Sequence, residues 1–128
     1  MDGIKKVVYI AGPITNVKNY WEAFEQAEDD LAACGCIPLS PARFPEGMTK
    51  AQYMRMCFAM IDSADAVLFL HGSERSEGAS LELAYCHYIG KPHFWHRHFI
   101  RVENSQVRTP PAHIRIEWLK HQLREVLG

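Results

Sequence analysis

No stretch of this chain approaches the eighteen or so apolar residues that a membrane-spanning helix needs. Its N-terminus has no basic segment leading into an apolar run and a small-residue cleavage site. No membrane partner is therefore expected, and the cytoplasm is the expected location. Charge of one sign is not in excess: 14 Lys and Arg stand against 15 Asp and Glu, a net charge of −1. That balance offers no basic surface for a polyanion, so nucleic acid is not an expected partner. The four cysteines (Cys34, Cys36, Cys57, Cys86) lack CxxC spacing, and three lie in apolar segments. They read as reduced, mostly buried thiols and not as a disulfide framework or zinc site. Histidine is plentiful, with His93, His96 and His98 clustered and the last two on one strand face. No third or fourth ligand of convincing spacing accompanies them, so surface or subunit-contact histidines are expected, and no metal or cofactor.

What is present is a chain of 128 residues, 48% apolar, enough for one domain (1–128) with a real core. "KKVVYIAG" (5–12) is a β-branched apolar run closed by Gly-Pro, the pattern of a buried strand and a turn. "NYWEAFEQAEDDLAACG" (19–35) is helical, with Trp21, Phe24, Ala27/Glu28, Leu31 and Cys34 on one stripe and Gly35 as the stop. "CIPLS" (36–40) reads as a short strand whose weak point is Pro38. Thr49 is a plausible N-cap for a helix from Lys50 to about Ser63, where Met54, Met56 and Met60 read as packing. "ADAVLFLHG" (64–72) is a buried strand, 77–89 a helix, and "KPHFWH" (91–96) a strand again. Within the ambiguous 97–108, "HFIRVEN" is a candidate strand. The last segment opens with Thr109 as cap and prolines in the first turn, then carries Ile114, Ile116/Glu117, Leu119, Leu123 and Leu127. Strands and helices in alternation, with continuously apolar strands, predict an α/β fold: a flavodoxin-like or Rossmann-like three-layer sandwich around a mostly parallel sheet of four to five strands.

Ligands of such sheets bind beyond the carboxyl ends of the strands, near a topological switch point. Two polar glycine-containing loops fall there, "AGPITN" (11–16) and "HGSERSEG" (71–78). Both lead into helix N-termini, which favour phosphate or another oxyanion. The helix after the second loop carries an anomaly. Its inward face is Ala79, Leu83, Cys86 and Ile89, and Glu82 lies among them, while Ser80, His87 and Lys91 point away. Glu82 is either a half-buried carboxylate satisfied by a neighbour, or a nucleophile or acid/base made reactive by partial desolvation. Ser76 sits at the N-cap, where its hydroxyl with the amides of Gly78 and Ala79 suits an anion; an ordinary cap is the plainer alternative. Gly78 also leaves room for close approach.

"YIAGP" (9–13), "ADAVLFL" (64–70) and "SEGASLELAYCHYIGKP" (76–92) resemble, in this order, the nucleoside 2-deoxyribosyltransferase-like superfamily. The likeness is greatest to its small branch in phage and prophage genomes, and it covers about two thirds of the chain. It implies a flavodoxin-like sheet and an enzyme of either of two kinds, base-exchanging transferases or hydrolases of deoxynucleoside 5′-monophosphates. In both, a helix-borne glutamate matching Glu82 attacks C1′ of the sugar, forming a glycosyl-enzyme that water or a second base resolves. Six residues before that glutamate the transferases carry a carboxylate, and the hydrolases a serine that contacts phosphate. Ser76 therefore points to a nucleotide N-glycosidase, with a base-exchange transferase or a non-catalytic nucleotide-binding module as the alternatives.

The resemblance also implies a homodimer or larger assembly, for which Trp95 and Trp118 are candidate contacts. Further candidate substrate residues are Tyr9 (flanking a base, or core), Gly12 and Pro13 (shaping the turn), and Ile14, Thr15 and Asn16, of which Asn16 is alternatively a helix cap. Arg43 and Arg75 are candidates for added positive charge. One departure stands out. Eight residues before the Asp that opens the third strand, relatives carry an aspartate; counting back from Asp65 reaches Cys57. Asp62 is the nearest carboxylate that would replace it.

Overall fold

The computed structural model describes residues 5–15, 17–96, 101–103, 106–108 and 110–128. The first strand, β1, spans Val7–Ala11, followed by α1 (Tyr20–Ala33) and β2 (Ile37–Leu39). Then come α2 (Lys50–Ser63), β3 (Ala66–Phe69), α3 (Glu77–Ile89) and β4 (His93–Trp95). A short pair, β5 (Arg101–Glu103) and β6 (Gln106–Arg108), precedes α4 (Ala112–Leu127).

β2, β1, β3 and β4 lie side by side in that order, all parallel, with Tyr9 opposite Leu39 and Val67, and Phe69 opposite Trp95. Because side chains alternate along a strand, each strand feeds both faces of the sheet. Val8, Ile10, Ala66 and Leu68 pack with Phe24, Ala27 and Leu31 of α1 and with Leu119 and Leu123 of α4. Tyr9, Ala11, Val67 and Phe69 pack with Cys57 and Ile61 of α2 and Cys86 of α3. This is the three-layer flavodoxin-like or Rossmann-like arrangement the alternating pattern predicts. β5 and β6 form a separate antiparallel ladder and do not extend the sheet. Among the described residues no helix is long and apolar enough to cross a membrane.

Local signals act where the chain places them. Thr49 caps α2 through a reciprocal box: its amide donates to Gln52 Oε1 (2.8 Å) and the Gln52 amide donates to Thr49 Oγ1 (3.1 Å). Asp65 opens β3 by accepting from the Val7 amide (2.8 Å) while its own amide donates to the Val7 carbonyl (2.7 Å). Pro38 is tolerated because β2 is an edge strand. All four cysteines are buried and free.

Several expectations change. Trp21, Ile89 and Ile114, assigned to inward stripes, are exposed, and so is Met56. The two prolines precede α4, with Pro111 at its N-cap position, instead of occupying its first turn. The N-cap position of α1 is Asn19, in the left-handed region with φ 55° and no side-chain cap bond. His96 is not a surface residue: it is buried and packs on Trp118, ring centres 5.5 Å apart. Trp95 and Trp118 are partly buried within the chain, stacked on Phe69 (5.1 Å) and tilted against Phe94 (6.2 Å). Asn16, His98 and Thr109 lie outside the described residues.

Candidate functional site

With strand order β2-β1-β3-β4, the chain leaves β1 toward one edge of the sheet and β3 toward the other. The loops after β1 and β3 therefore diverge at a switch point between neighbouring strands. They are tied together there by the Leu70 amide, which donates to the Ala11 carbonyl (2.8 Å), and Pro13 Cγ lies 3.4 Å from where a Cβ on Gly72 would be.

α3 starts at this edge. Ser76 caps it, its Oγ accepting from the Ala79 amide (3.3 Å), so in the ligand-free chain the plainer reading of Ser76 holds and the Ala79 amide is already engaged. One and a half turns on, Glu82 is directed at the sheet and is only 5% exposed, beside buried Ala79 and Cys86. The inward placement inferred from periodicity is what the fold adopts.

Glu82 meets Tyr9 from β1 and Cys57 from α2, so three elements converge on it. Tyr9 is fully buried and belongs to the core; it lies beneath Glu82 instead of flanking an open base site. Tyr9 Oη and Glu82 Oε2 are both sealed from solvent, and neither has a partner in hydrogen-bonding geometry. Buried polar atoms are nearly always satisfied, so two orphans at one spot are unusual. Burial pushes the Glu82 carboxyl up from 4.5 to about 7, with the nearby Tyr9 hydroxyl acting weakly in the opposite direction. Burial also raises the Cys57 and Cys86 thiols to about 11, and the Tyr9 phenol rises well above its ordinary range for the same reason. Near neutral pH both protonation states of Glu82 are therefore within reach, beside three groups that keep their protons. A carboxyl group in that condition can serve as a nucleophile or as an acid/base near pH 7.

The other sequence candidates divide. Gly12 is buried against α1: a Cβ there would come within 3.1 Å of Phe24 Cζ and 3.2 Å of Leu70, so close packing explains this glycine. Ile14 packs into the α1/α4 side of the core, the opposite face from Glu82. Thr15 is exposed and Pro13 half-buried on the loop. Gly78 borders Met54, whose Sδ lies 3.7 Å from where a Cβ would be. Asp62 is not part of the site: it is exposed at the end of α2 and accepts from the Tyr85 hydroxyl (2.6 Å). Arg43 is engaged on the surface with Glu28 (3.3 Å), and Arg75 is exposed. Cys57, which stands in the sequence where relatives carry an aspartate, is buried beside Glu82 and Tyr9.

Two open recesses of the surface lie elsewhere. One, between α1 and α4, is bounded by Trp21, Glu25 and Arg115; the other, below the C-terminus of α3, by His87, Lys91 and His93. Neither is lined by Glu82 or Ser76.

Residues 6–94, well over half of the chain, match the family described as Domain of unknown function (DUF4406). The chain belongs to this family. The DUF4406 match spans β1 to β4 and so holds Tyr9, Cys57, Ser76 and Glu82 together, while β5, β6 and α4 lie beyond it. No curated protein matches the chain.

Proposed function

We propose that this DUF4406 protein is an N-glycosidase that hydrolyses a (deoxy)nucleoside 5′-monophosphate to free base and sugar phosphate, with Glu82 as the nucleophile. The observation that carries this reading is the buried Glu82 carboxyl. Among the described residues it has no cation beside it, one of its oxygens lacks a hydrogen-bond partner, and its protonation midpoint is about 7. The resemblance of the flanking motifs to nucleoside 2-deoxyribosyltransferase-like proteins adds the substrate class.

In the proposed reaction an ionised Glu82 oxygen bonds to C1′ as the C1′–N bond breaks, and that electron pair leaves with the base, which takes up a proton. Water then attacks C1′, releases the carboxylate and loses a proton. The transition state of each step is oxocarbenium-like, and the negative charge on the adjacent Glu82 oxygen stabilises it. The phosphate belongs at the N-terminus of α3, where Ser76 offers a hydroxyl and the backbone offers N–H groups without a competing carboxylate on the serine. Tyr9, held protonated, faces the carboxylate and favours its ionised form.

Incubation with a panel of nucleoside and deoxynucleoside 5′-monophosphates, read by chromatography for free base, tests this. Base release that vanishes in Glu82→Ala is expected, and release unaffected by that change refutes the assignment. Cys57 favours a second reading, a nucleotide-binding module without turnover, because a neutral thiol cannot orient a sugar hydroxyl as a carboxylate does. Calorimetric binding without any product after long incubation selects it. Base exchange, the third outcome, requires a new nucleoside when a free acceptor base is supplied.

We further propose self-association through the outer face of α3, where Leu81 (50% exposed), Ala84 and Tyr88 (90% exposed) form an apolar stripe one helical ridge long. Tyr88→Asp converts a dimer seen by light scattering into a monomer; a wild-type monomer at all concentrations refutes this contact.

A further inference from the structure

We propose that His87 and His93 form a binding site for a single borderline divalent ion of the zinc, nickel or copper(II) type, at the C-terminal end of α3. The two come from different elements, His87 from the last turn of α3 and His93 from the start of β4. Their ring centres lie 4.7 Å apart with planes at 79°. Two imidazoles sharing one ion at the usual metal–nitrogen distance of about 2.0–2.1 Å hold their ring centres about 5 Å apart at a tetrahedral angle. The observed spacing is a few tenths of an ångström shorter than that, so the two rings need only part slightly to admit an ion between them.

The tautomer is already set. His93 Nδ1 lies 2.9 Å from the Lys91 carbonyl oxygen, and a carbonyl can only accept, so Nδ1 carries the hydrogen. The lone pair of neutral His93 is then on Nε2. A backbone carbonyl on the far nitrogen is the usual support of a metal-bound histidine, because it fixes the ring and raises its basicity. His87 is exposed, so rotation about its side-chain bonds can present either nitrogen.

The surroundings select the kind of ion. The recess beneath the pair, about 430 Å³, is bounded by Cys86, His87, Gly90, Lys91, Pro92, His93 and Val126, without a carboxylate. Calcium and magnesium are held chiefly through carboxylate oxygens, and that lining has no carboxylate. Lys91 borders the same space with its ammonium donating to the Ala64 carbonyl (2.5 Å), and its charge opposes any cation held by electrostatics alone. Only a metal that forms strong bonds to imidazole gains enough to enter. Among the described residues no set of three ligating side chains gathers there, so water fills the remaining positions. This site is independent of the glycosidase reading: an ion bridging α3 to β4 stabilises the fold whether or not Glu82 is catalytic.

Titration of the full chain with Zn²⁺ and with Ni²⁺, by calorimetry in a non-chelating buffer and by thermal melting, tests the site. One ion per chain and a rise in Tm are expected, with no response to Mg²⁺ or Ca²⁺. His87→Ala and His93→Ala should each weaken binding by about tenfold or more, with His87→Ala keeping the apo melting temperature because the side chain is exposed. His121→Ala, which removes the exposed i,i+4 pair of His121 with Glu125 (3.7 Å), should leave binding intact. Absence of saturable binding, binding that survives His87→Ala, or binding abolished by His121→Ala overturns the proposal.

Discussion

Replacing Glu82 by Gln should make the protein more stable above neutral pH while removing its chemistry. The folded-state carboxyl titrates at about 7 against 4.5 when free, with burial as the main cause. Between those two values the native chain holds a proton that the unfolded chain has released. Stability therefore falls as pH rises through this window, and the part lost stays lost above it. At about 1.4 kcal/mol per pH unit the whole penalty is about 3 kcal/mol. Glutamine is nearly isosteric and never ionises, so it escapes the penalty. At pH 4, below both values, the variant and wild type should unfold at nearly the same urea concentration. At pH 8.5 the variant should be ahead by about 3 kcal/mol, or about 10 °C in Tm for a chain of this size. Other titrating groups cancel in the difference between the two proteins. A variant no more stable than wild type at pH 8.5 would mean that the carboxylate is solvated or paired, and the reasoning about the pocket fails with it.

Three further outcomes follow from the geometry. Gly12→Ala should cost about 1–3 kcal/mol by urea denaturation, because its methyl group meets Phe24 Cζ at 3.1 Å and Leu70 at 3.2 Å, where α1 cannot yield without lifting off the sheet. Thr49→Ala removes half of the α2 capping box and should cost about 1 kcal/mol in the same assay. Tyr9→Phe deletes a hydroxyl that has no strict hydrogen-bond partner, so stability should hold or rise. Because that hydroxyl favours ionised Glu82, its loss should raise the Glu82 midpoint, and the acidic limb of any base-release profile should move to higher pH.

Much of this architecture is legible in the residues, for physical reasons that also explain the misses. Strands buried on both faces carry unbroken apolar runs, and Thr49, Gly90 and Ser76 punctuate helices by local chemistry, so elements and boundaries emerge from short windows. The three stripe errors, Trp21, Ile89 and Ile114, share one cause. All sit in the first or last turn of a helix. A helix of 13 to 16 residues spans about 20–24 Å, whereas strands of three to five residues span about 10–17 Å. The terminal turns overhang the sheet, which leaves these three side chains exposed. Glu82 was legible because a charge on an inward helical face violates periodicity within a single element. Its neighbours were less so: Tyr9, Cys57 and Glu82 come from β1, α2 and α3, and only the parallel order of the sheet brings them together.

The chain buries a second carboxylate, and comparing the two separates structural from chemical use. Asp30 of α1 is 3% exposed, nearly the same as Glu82. It is matched by Arg115 from α4, whose Nε and Nη2 donate to its two oxygens at 2.8 and 3.2 Å, and Arg115 Nη1 donates to the Pro110 carbonyl. Here a charge taken out of water is returned a guanidinium in fork geometry, the arrangement that makes a buried ion pair tolerable. Removing it should be costly: Asp30→Ala strands Arg115 between α1 and α4, and a loss of about 3 kcal/mol or more is expected from urea denaturation. Among the described residues Glu82 has no such cation. Its neighbours are a phenol and two thiols that remain neutral, so the same fold that solved the problem at Asp30 leaves it unsolved at Glu82. If both carboxylates were structural, Asp30→Asn and Glu82→Gln should destabilise alike. Opposite signs at pH 8.5, with Asp30→Asn less stable than wild type and Glu82→Gln more stable, are the result expected of a carboxyl kept for reactivity at the expense of stability.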